Sequence, residues 1–142
     1  MLMGEYHYNL DLKGRVVVPS KFREVLGEKV VLTRGLDGSL FIYGLDTWHL
    51  LTEKLKTLSL TDITSRNFVR FLLSGAITLE FDKQGRIIIP TYLKEYATLE
   101  KEVVLVGVLN RVEIWSSLAW NNFMENNFQD LAKISSNLFN FL

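Results

Sequence analysis

The sequence contains one pattern twice, and this internal repeat constrains the fold more than any other feature. Residues 11–19 read DLKGRVVVP and residues 82–90 read DKQGRIIIP, a spacing of 71 in a chain of 142 residues. The only two prolines, Pro19 and Pro90, stand at equivalent positions. A fixed internal period is typical of a structure built from equivalent supersecondary units. We therefore expect two copies of one unit.

Each copy has the pattern of strand, turn, strand, short helix, strand and strand. The first strand is indicated by apolar residues that alternate with polar ones, at Tyr6, Tyr8 and Leu10 and at Ile77, Leu79 and Phe81. The motif Asp-x-x-Gly-Arg then predicts a tight turn, because Asp accepts hydrogen bonds from nearby backbone N–H groups and Gly adopts a positive φ. The β-branched runs 16–18 and 87–89 predict fully buried strands, and the prolines that follow suit the first turn of a helix.

The remaining segments are predicted to be helical. Asp46 or Thr47 is the expected N-cap of one connecting helix, and Thr61 that of a second helix that ends near Gly75. A further helix is expected after Ser116, followed by an apolar tail, 134–142, without a strong pattern. The chain is accordingly divided into a first repeat, a helical connector, a second repeat, and a C-terminal helix with its tail; the ranges are 5–48, 49–75, 76–120 and 121–142.

Neither repeat is expected to fold alone. A unit of about 45 residues buries too little apolar surface to offset the conformational entropy lost on folding. The two copies are therefore predicted to close on each other as one compact domain, a pseudo-two-fold β-barrel in an α+β, mainly β fold. A two-fold relation makes the two Asp-x-x-Gly-Arg turns equivalent features of one molecule.

Composition excludes several classes of function. Hydrophobic residues make up 48% of the chain and charged residues 23%, which is typical of a folded protein. The absence of cysteine excludes disulfides and thiolate metal sites, and His7 and His49 lack the spacing of metal ligands. Neither a Gly-rich phosphate loop nor a G-x-S-x-G motif is present. We expect no enzyme activity, metal, cofactor or small-molecule substrate, and, without a signal or membrane span, a cytoplasmic protein.

A net charge of zero argues against binding to nucleic acid, but the distribution of the charged residues along the chain does not. The chain has 16 basic and 16 acidic residues, whereas residues 12–23 carry four basic side chains and no acidic one, and residues 83–94 carry three and none. These basic residues flank the predicted turns. Arg can bind guanine through two hydrogen bonds, and Lys suits phosphate groups. An Asp and an Arg four residues apart also fit an ion pair that braces the turn, and both interpretations can hold together.

The residues that carry the repeat resemble the MraZ family of bacterial regulators. The resemblance covers residues 4 to about 120 and rests on the segments GEYHYNLDLKGRVVVPSKFRE, RNFVRFLLSGA and LEFDKQGRIIIPTYLKEYATLEKEVVLVGVLNRVEIW. Two tandem D-x-x-x-R motifs with these flanks are a specific signal, whereas one such motif is weak. The resemblance implies an AbrB-type swapped-hairpin barrel, with two copies in one chain.

The resemblance also implies a function. It implies a transcriptional regulator that binds short direct repeats in the promoter of its own division and cell-wall gene cluster, associated with the nucleoid, as a ring of about eight subunits. The motif positions imply DNA-contacting residues at Lys13, Gly14 and Arg15, at Lys83, Gly85 and Arg86, and, from the adjacent basic residues, at Lys21 and Arg23. Asp11 and Asp82 are expected to orient the turns.

A second function remains open at this point. AbrB-like barrels also serve as protein-interaction modules, including antitoxins. Antitoxins usually carry a flexible and often acidic tail, whereas this chain ends in ISSNLFNFL with no charge after Lys133. That ending favours the DNA-binding regulator over the interaction module.

Overall fold

Eight strands and five helices follow one another in the order expected of a tandem repeat. The computed structural model describes all residues, Met1–Leu142. The first copy comprises β1 (Leu2–Asn9), β2 (Arg15–Val17), α1 (Ser20–Leu26), β3 (Lys29–Arg34) and β4 (Leu40–Gly44). The connecting helices are α2 (Leu45–Leu55) and α3 (Ile63–Ser74). The second copy comprises β5 (Ile77–Glu80), β6 (Arg86–Ile88), α4 (Thr91–Tyr96), β7 (Glu102–Leu109), β8 (Arg111–Ser116) and α5 (Ser117–Phe141).

The two copies exchange strands. Six strands form one antiparallel sheet in the order β1-β7-β8-β4-β3-β5, and β2 pairs with β6 in a second sheet. Strand β1 of the first copy thus pairs with β7 of the second, and β5 of the second copy pairs with β3 of the first. The predicted α+β, mainly β fold with swapped hairpins is confirmed.

A pseudo-two-fold axis relates the copies. Phe41 and Glu113 are equivalent residues and face each other in the β4–β8 pair. Val16 and Ile87 are also equivalent by their position in the repeat, and they face each other in the β2–β6 pair. The axis passes through both pairs. It therefore places the two Asp-x-x-Gly-Arg turns side by side, at the starts of β2 and β6.

The core lies between the two sheets. It contains 19 buried apolar side chains, drawn from the inner face of the six-stranded sheet, from β2 and β6, and from α1 and α4. The outer face of the six-stranded sheet carries a smaller cluster of Val104, Trp115 and Trp120, against which Phe123 packs. Because α5 begins on this outer face, it lies on the side of the sheet opposite β2, β6 and their turns.

Several local expectations from the sequence are wrong. Val17 is only partly buried and Ile88 is exposed, because the β2–β6 sheet has one face on the core and one towards solvent. Helix α2 begins after Gly44 with no side-chain cap, so neither Asp46 nor Thr47 caps it. Helix α3 is capped by Asp62, whose side chain accepts from the Ser65 N–H, and not by Thr61.

The C-terminal segment is one continuous helix. The sequence separates an apolar tail, 134–142, from the helix before it, but α5 runs from Ser117 to Phe141. Only Trp120 of this helix is buried. None of the five helices combines the length and the apolar character needed to cross a membrane.

Candidate nucleic-acid interface

Turn 1, residues 11–15, is shaped by the carboxylate of Asp11. Its Oδ1 accepts hydrogen bonds from the backbone N–H groups of Lys13 at 3.0 Å and Arg15 at 2.8 Å. Its Oδ2 accepts from Arg15 Nε at 2.6 Å. The Asp11 carbonyl also accepts from the Gly14 N–H, and the Asp11 N–H donates to the Arg15 carbonyl. One aspartate thus fixes both the backbone of the turn and the inner edge of its arginine.

Turn 2, residues 82–86, has the same hydrogen bonds. Asp82 Oδ1 accepts from the backbone N–H groups of Gln84 at 2.9 Å and Arg86 at 2.8 Å, and Oδ2 accepts from Arg86 Nε at 2.8 Å. The glycines of the two turns, Gly14 and Gly85, have φ values of 77° and 74°. This region of φ favours glycine, which explains why both copies have glycine there.

The two turns are joined across the pseudo-two-fold axis. The Gly14 carbonyl accepts from the Ile89 N–H of the second copy, and the Gly85 carbonyl accepts from the Val18 N–H of the first, both at 2.9 Å. Arg86 Nη1 also lies 3.9 Å from Asp11 Oδ2. Each turn is therefore fixed at its glycine by the other copy. The pair forms one rigid feature of the surface.

A basic side chain from each short helix covers the glycine of the opposite turn. A Cβ on Gly85 would lie 2.7 Å from Arg23 Cζ, and a Cβ on Gly14 would lie 3.0 Å from Lys94 Nζ. Arg23 is held further by its Nε, which donates to the Val18 carbonyl at 3.0 Å. Lys94 is absent from the residues expected at the site. The repeat itself supplies the missing signal, because a spacing of 71 residues makes Lys94 the equivalent of Arg23.

The two turn arginines differ in what their terminal nitrogens contact. Arg15 uses only Nε within the chain, so both its Nη groups remain available. Arg86 donates from Nη2 to Gln84 Oε1 at 3.0 Å, while its Nη1 faces Asp11. The Arg15 side chain is 26% exposed and that of Arg86 24%, so both are mostly covered by the protein. Arg15 therefore has the greater capacity to donate to an external acceptor.

The aspartates of the turns stay ionised well below neutral pH. Hydrogen bonds from the backbone N–H of Arg15 lower the pKa of Asp11 more than any other cause, and those from Arg86 do the same for the pKa of Asp82. Each carboxylate is close to its arginine, so each Asp–Arg pair is neutral as a unit. The positive charge of the site that is not paired within the turns comes from the lysines and from Arg23.

The expected DNA-contacting residues fall into three groups by exposure. Lys13, Lys83 and Lys21 are exposed; Arg15, Arg86 and Arg23 are partly buried; Gly14 and Gly85 are buried. The glycines are covered by Lys94 and Arg23 and are thereby withdrawn from the surface. Leu12, at the tip of turn 1, is fully exposed. No group of three or more His, Cys, Asp or Glu side chains is arranged to hold a metal ion.

Comparison with protein families finds the repeat independently. A family model described as "MraZ protein, putative antitoxin-like" matches the chain twice, over residues 1–71 and 72–142. The two matches divide the chain within the last turn of α3.

Comparison with curated proteins finds relatives of the same length. A protein of Caldanaerobacter subterraneus subsp. tengcongensis is 52% identical over 141 residues, which cover 99% of this chain and 99% of the relative. A protein of Clostridium beijerinckii is 52% identical over 140 residues, and one of Halothermothrix orenii 50% identical over 141; each match covers 97% of this chain and 99% of the relative. All three are named "Transcriptional regulator MraZ".

Proposed function

This chain belongs to the MraZ family, and we propose that it is a sequence-specific DNA-binding regulator of transcription that presents turns 1 and 2 to the major groove. One observation carries the proposal: two equivalent turns, fixed by their own aspartates and by each other, lie side by side with unpaired basic groups around them. The regulator names of its relatives support the same class of function.

The side chains of the site divide between base recognition and phosphate binding. Arg15 and Arg86 suit guanine, since each guanidinium is oriented by a carboxylate before DNA arrives and loses less side-chain entropy on binding. Exposed Lys13, Lys83 and Lys21 suit phosphates. Arg23 and Lys94 add positive charge beside the turns. Gly14 and Gly85 then contribute through the turn conformation and not through direct contact.

We propose that affinity comes from repetition of this small site. A few turn contacts bind DNA weakly, whereas several subunits on several promoter repeats gain affinity through effective concentration. A ring of about eight subunits on short direct repeats, upstream of the chain's own division and cell-wall gene cluster, satisfies this requirement. Such a ring would act in the cytoplasm on the nucleoid.

The C-terminal helix supports self-association. The last apolar residues of the chain, Leu138, Phe139, Phe141 and Leu142, are 55 to 91% exposed, so their own subunit leaves most of their surface uncovered. A helix with so much exposed apolar surface is typical of an interface. Because α5 begins on the outer face of the six-stranded sheet, association through it leaves both turns accessible to DNA.

Removal of residues 134–142 tests this role of the helix. We expect the truncated chain to form smaller assemblies by sedimentation, because the exposed apolar residues of α5 are lost, and to fold as before, because none of the removed residues is buried. An unchanged assembly size would contradict the role of α5 in the interface. DNA binding by the truncated chain, measured on one repeat, would remain.

Footprinting on the DNA upstream of the chain's own operon tests the function. We expect protection of regularly spaced short repeats by the full chain. The variant Arg15→Ala, Arg86→Ala should protect none of them, while Lys54→Ala, which changes an exposed lysine of α2, should protect them as the wild type does. Absence of protection by the wild type would overturn the proposal.

The antitoxin-like interaction module remains the second candidate, because the matching family model carries that description. A ring that assembles in solution but leaves the upstream DNA unprotected would favour this candidate. The two functions place different demands on turns 1 and 2. Only the DNA-binding regulator requires their basic side chains.

A further inference from the structure

An apolar side chain stands at the tip of turn 1, among the charged groups of the site. Leu12 lies between Asp11 and Lys13, and its side chain is fully exposed. The Asp11 carboxylate holds the backbone N–H of Lys13 on one side of Leu12, and Asp11 itself is hydrogen-bonded to Arg15. Leu12 is therefore presented on a fixed backbone and packs against no other part of the chain.

The fold does not require leucine at this position. The equivalent residue of turn 2 is Lys83, and the backbone hydrogen bonds of the two turns are the same. An exposed leucine also gains nothing from burial in the free protein. What distinguishes Leu12 from Lys83 is therefore what it offers to a bound molecule.

The edges of the base pairs offer one apolar group in the major groove, the 5-methyl group of thymine. We propose that Leu12 contacts a thymine methyl group, and that turns 1 and 2 of one chain consequently recognise different base pairs. This inference rests on the proposed DNA-binding function. Turn 1 combines an apolar contact with an arginine whose Nη groups are free, whereas turn 2 offers Lys83 and an arginine bonded to Gln84.

The difference between the tips of turns 1 and 2 affects which DNA sequences the protein can recognise. Two identical turns related by a two-fold axis would favour a palindromic site. Two turns that differ at their tips favour a site with a direction. Repeated binding by several subunits then requires repeats that all point the same way.

Replacement of every thymine by uracil tests the contact without knowledge of the operator. The upstream fragment is amplified with dTTP or with dUTP, which removes the 5-methyl groups while leaving the base-pairing edges unchanged. Fluorescence anisotropy then gives the Kd of the wild-type protein for each fragment. Loss of one buried methyl group predicts a Kd at least about fourfold higher for the uracil fragment.

Two variants test whether the difference in Kd between the two fragments depends on Leu12. Leu12→Ser removes the apolar side chain and should bind the thymine and uracil fragments with equal Kd. Leu109→Ser is the matched control. Leu109 is also an exposed leucine, the last residue of β7, but it pairs with Leu2, at the opposite end of β1, about 25 Å from turn 1. This control should discriminate between the fragments as the wild type does.

The possible outcomes distinguish the contact between Leu12 and thymine from the proposed DNA-binding function. Equal binding of the wild type to both fragments overturns the methyl contact and leaves the proposed function intact. Discrimination that persists in Leu12→Ser overturns the assignment to Leu12. Absence of binding to either fragment overturns the proposed function and the inference together.

Discussion

Turn 1 and turn 2 share the hydrogen bonds that shape their backbones and differ in the side chains that extend from them. In both, the aspartate Oδ1 accepts two backbone N–H groups and Oδ2 accepts from the arginine Nε. At the tips, Leu12 and Lys13 stand where turn 2 has Lys83 and Gln84. The comparison shows that a duplicated turn can change what it contacts while the fold stays the same.

The largest difference between the turns is expected in their arginines. Arg15→Ala should abolish binding to the proposed promoter repeats in a gel-shift assay at moderate salt, because a base contact worth ~1–3 kcal/mol is lost in every subunit of the proposed ring. Assembly size should not change, since the only hydrogen bond and ion pair of the Arg15 side chain are with Asp11 of the same turn. Retained affinity at moderate salt would contradict the role of Arg15.

Arg86→Ala should weaken the same binding less than Arg15→Ala. Arg86 Nη2 already donates to Gln84, so fewer of its N–H groups remain for a base. Gln84→Ala releases that nitrogen and should bring turn 2 closer to turn 1 in its contribution. The measurement is the Kd of the three single variants on one promoter fragment; equal losses for both arginines would remove the distinction between the turns.

Replacement of the turn glycines by alanine should lower the free energy of unfolding by different amounts in the two turns. Alanine at either position adopts a positive φ at a cost of about 1–2 kcal/mol. Gly85→Ala should lower the free energy of unfolding further than Gly14→Ala, because its Cβ meets the Arg23 guanidinium at 2.7 Å, and Arg23 is held by the Val18 carbonyl. The Cβ of Gly14→Ala meets the flexible end of Lys94 at 3.0 Å and the Ile89 carbonyl at 3.3 Å. Urea denaturation measures both; the opposite order would show that Arg23 moves more easily than Lys94.

The smallest expected effect is on the stability of the protein at low pH. The folded state lowers the pKa values of Asp11 and Asp82, mainly through backbone N–H bonds, so their contribution to stability is present above about pH 4 and is lost as the pH falls through the lowered values. The melting temperature of the wild type should therefore fall between pH 5 and acid conditions near pH 2. Asp11→Asn should show a smaller fall than Asp82→Asn, since Asp11 also faces Arg86 at 3.9 Å. Equal falls would contradict this additional contribution at Asp11.

The elements of the repeat could be predicted from the sequence because local chemistry determines them. Asp11, Gly14 and Pro19 specify a turn, a strand and a helix start within nine residues, and the second copy repeats them. The exchange of β1 and β5 follows from the resemblance and not from hydrophobic periodicity, because alternation shows which face of a strand is buried but not which strand is its neighbour.

Other features escaped prediction for physical reasons. The start of α2 has no signal because Gly44 supplies no side-chain hydrogen bond. The β-branched run at 87–89 suggests full burial, yet Ile88 is exposed because β6 has only one strand beside it and one face on the core. The unequal hydrogen bonding of Arg15 and Arg86 depends on the geometry of Gln84, which sequence spacing cannot show.

The exchange of strands also has a consequence for synthesis on the ribosome. Strand β1 is translated first, but Leu2 pairs with Leu109, so β1 has no partner until β7 has emerged. The first copy must therefore remain incompletely folded while most of the second is translated, with the edges of its strands unpaired. A product truncated before β7 lacks that partner entirely and is open to proteases. The order of translation thus makes completion of the chain a condition for its stability.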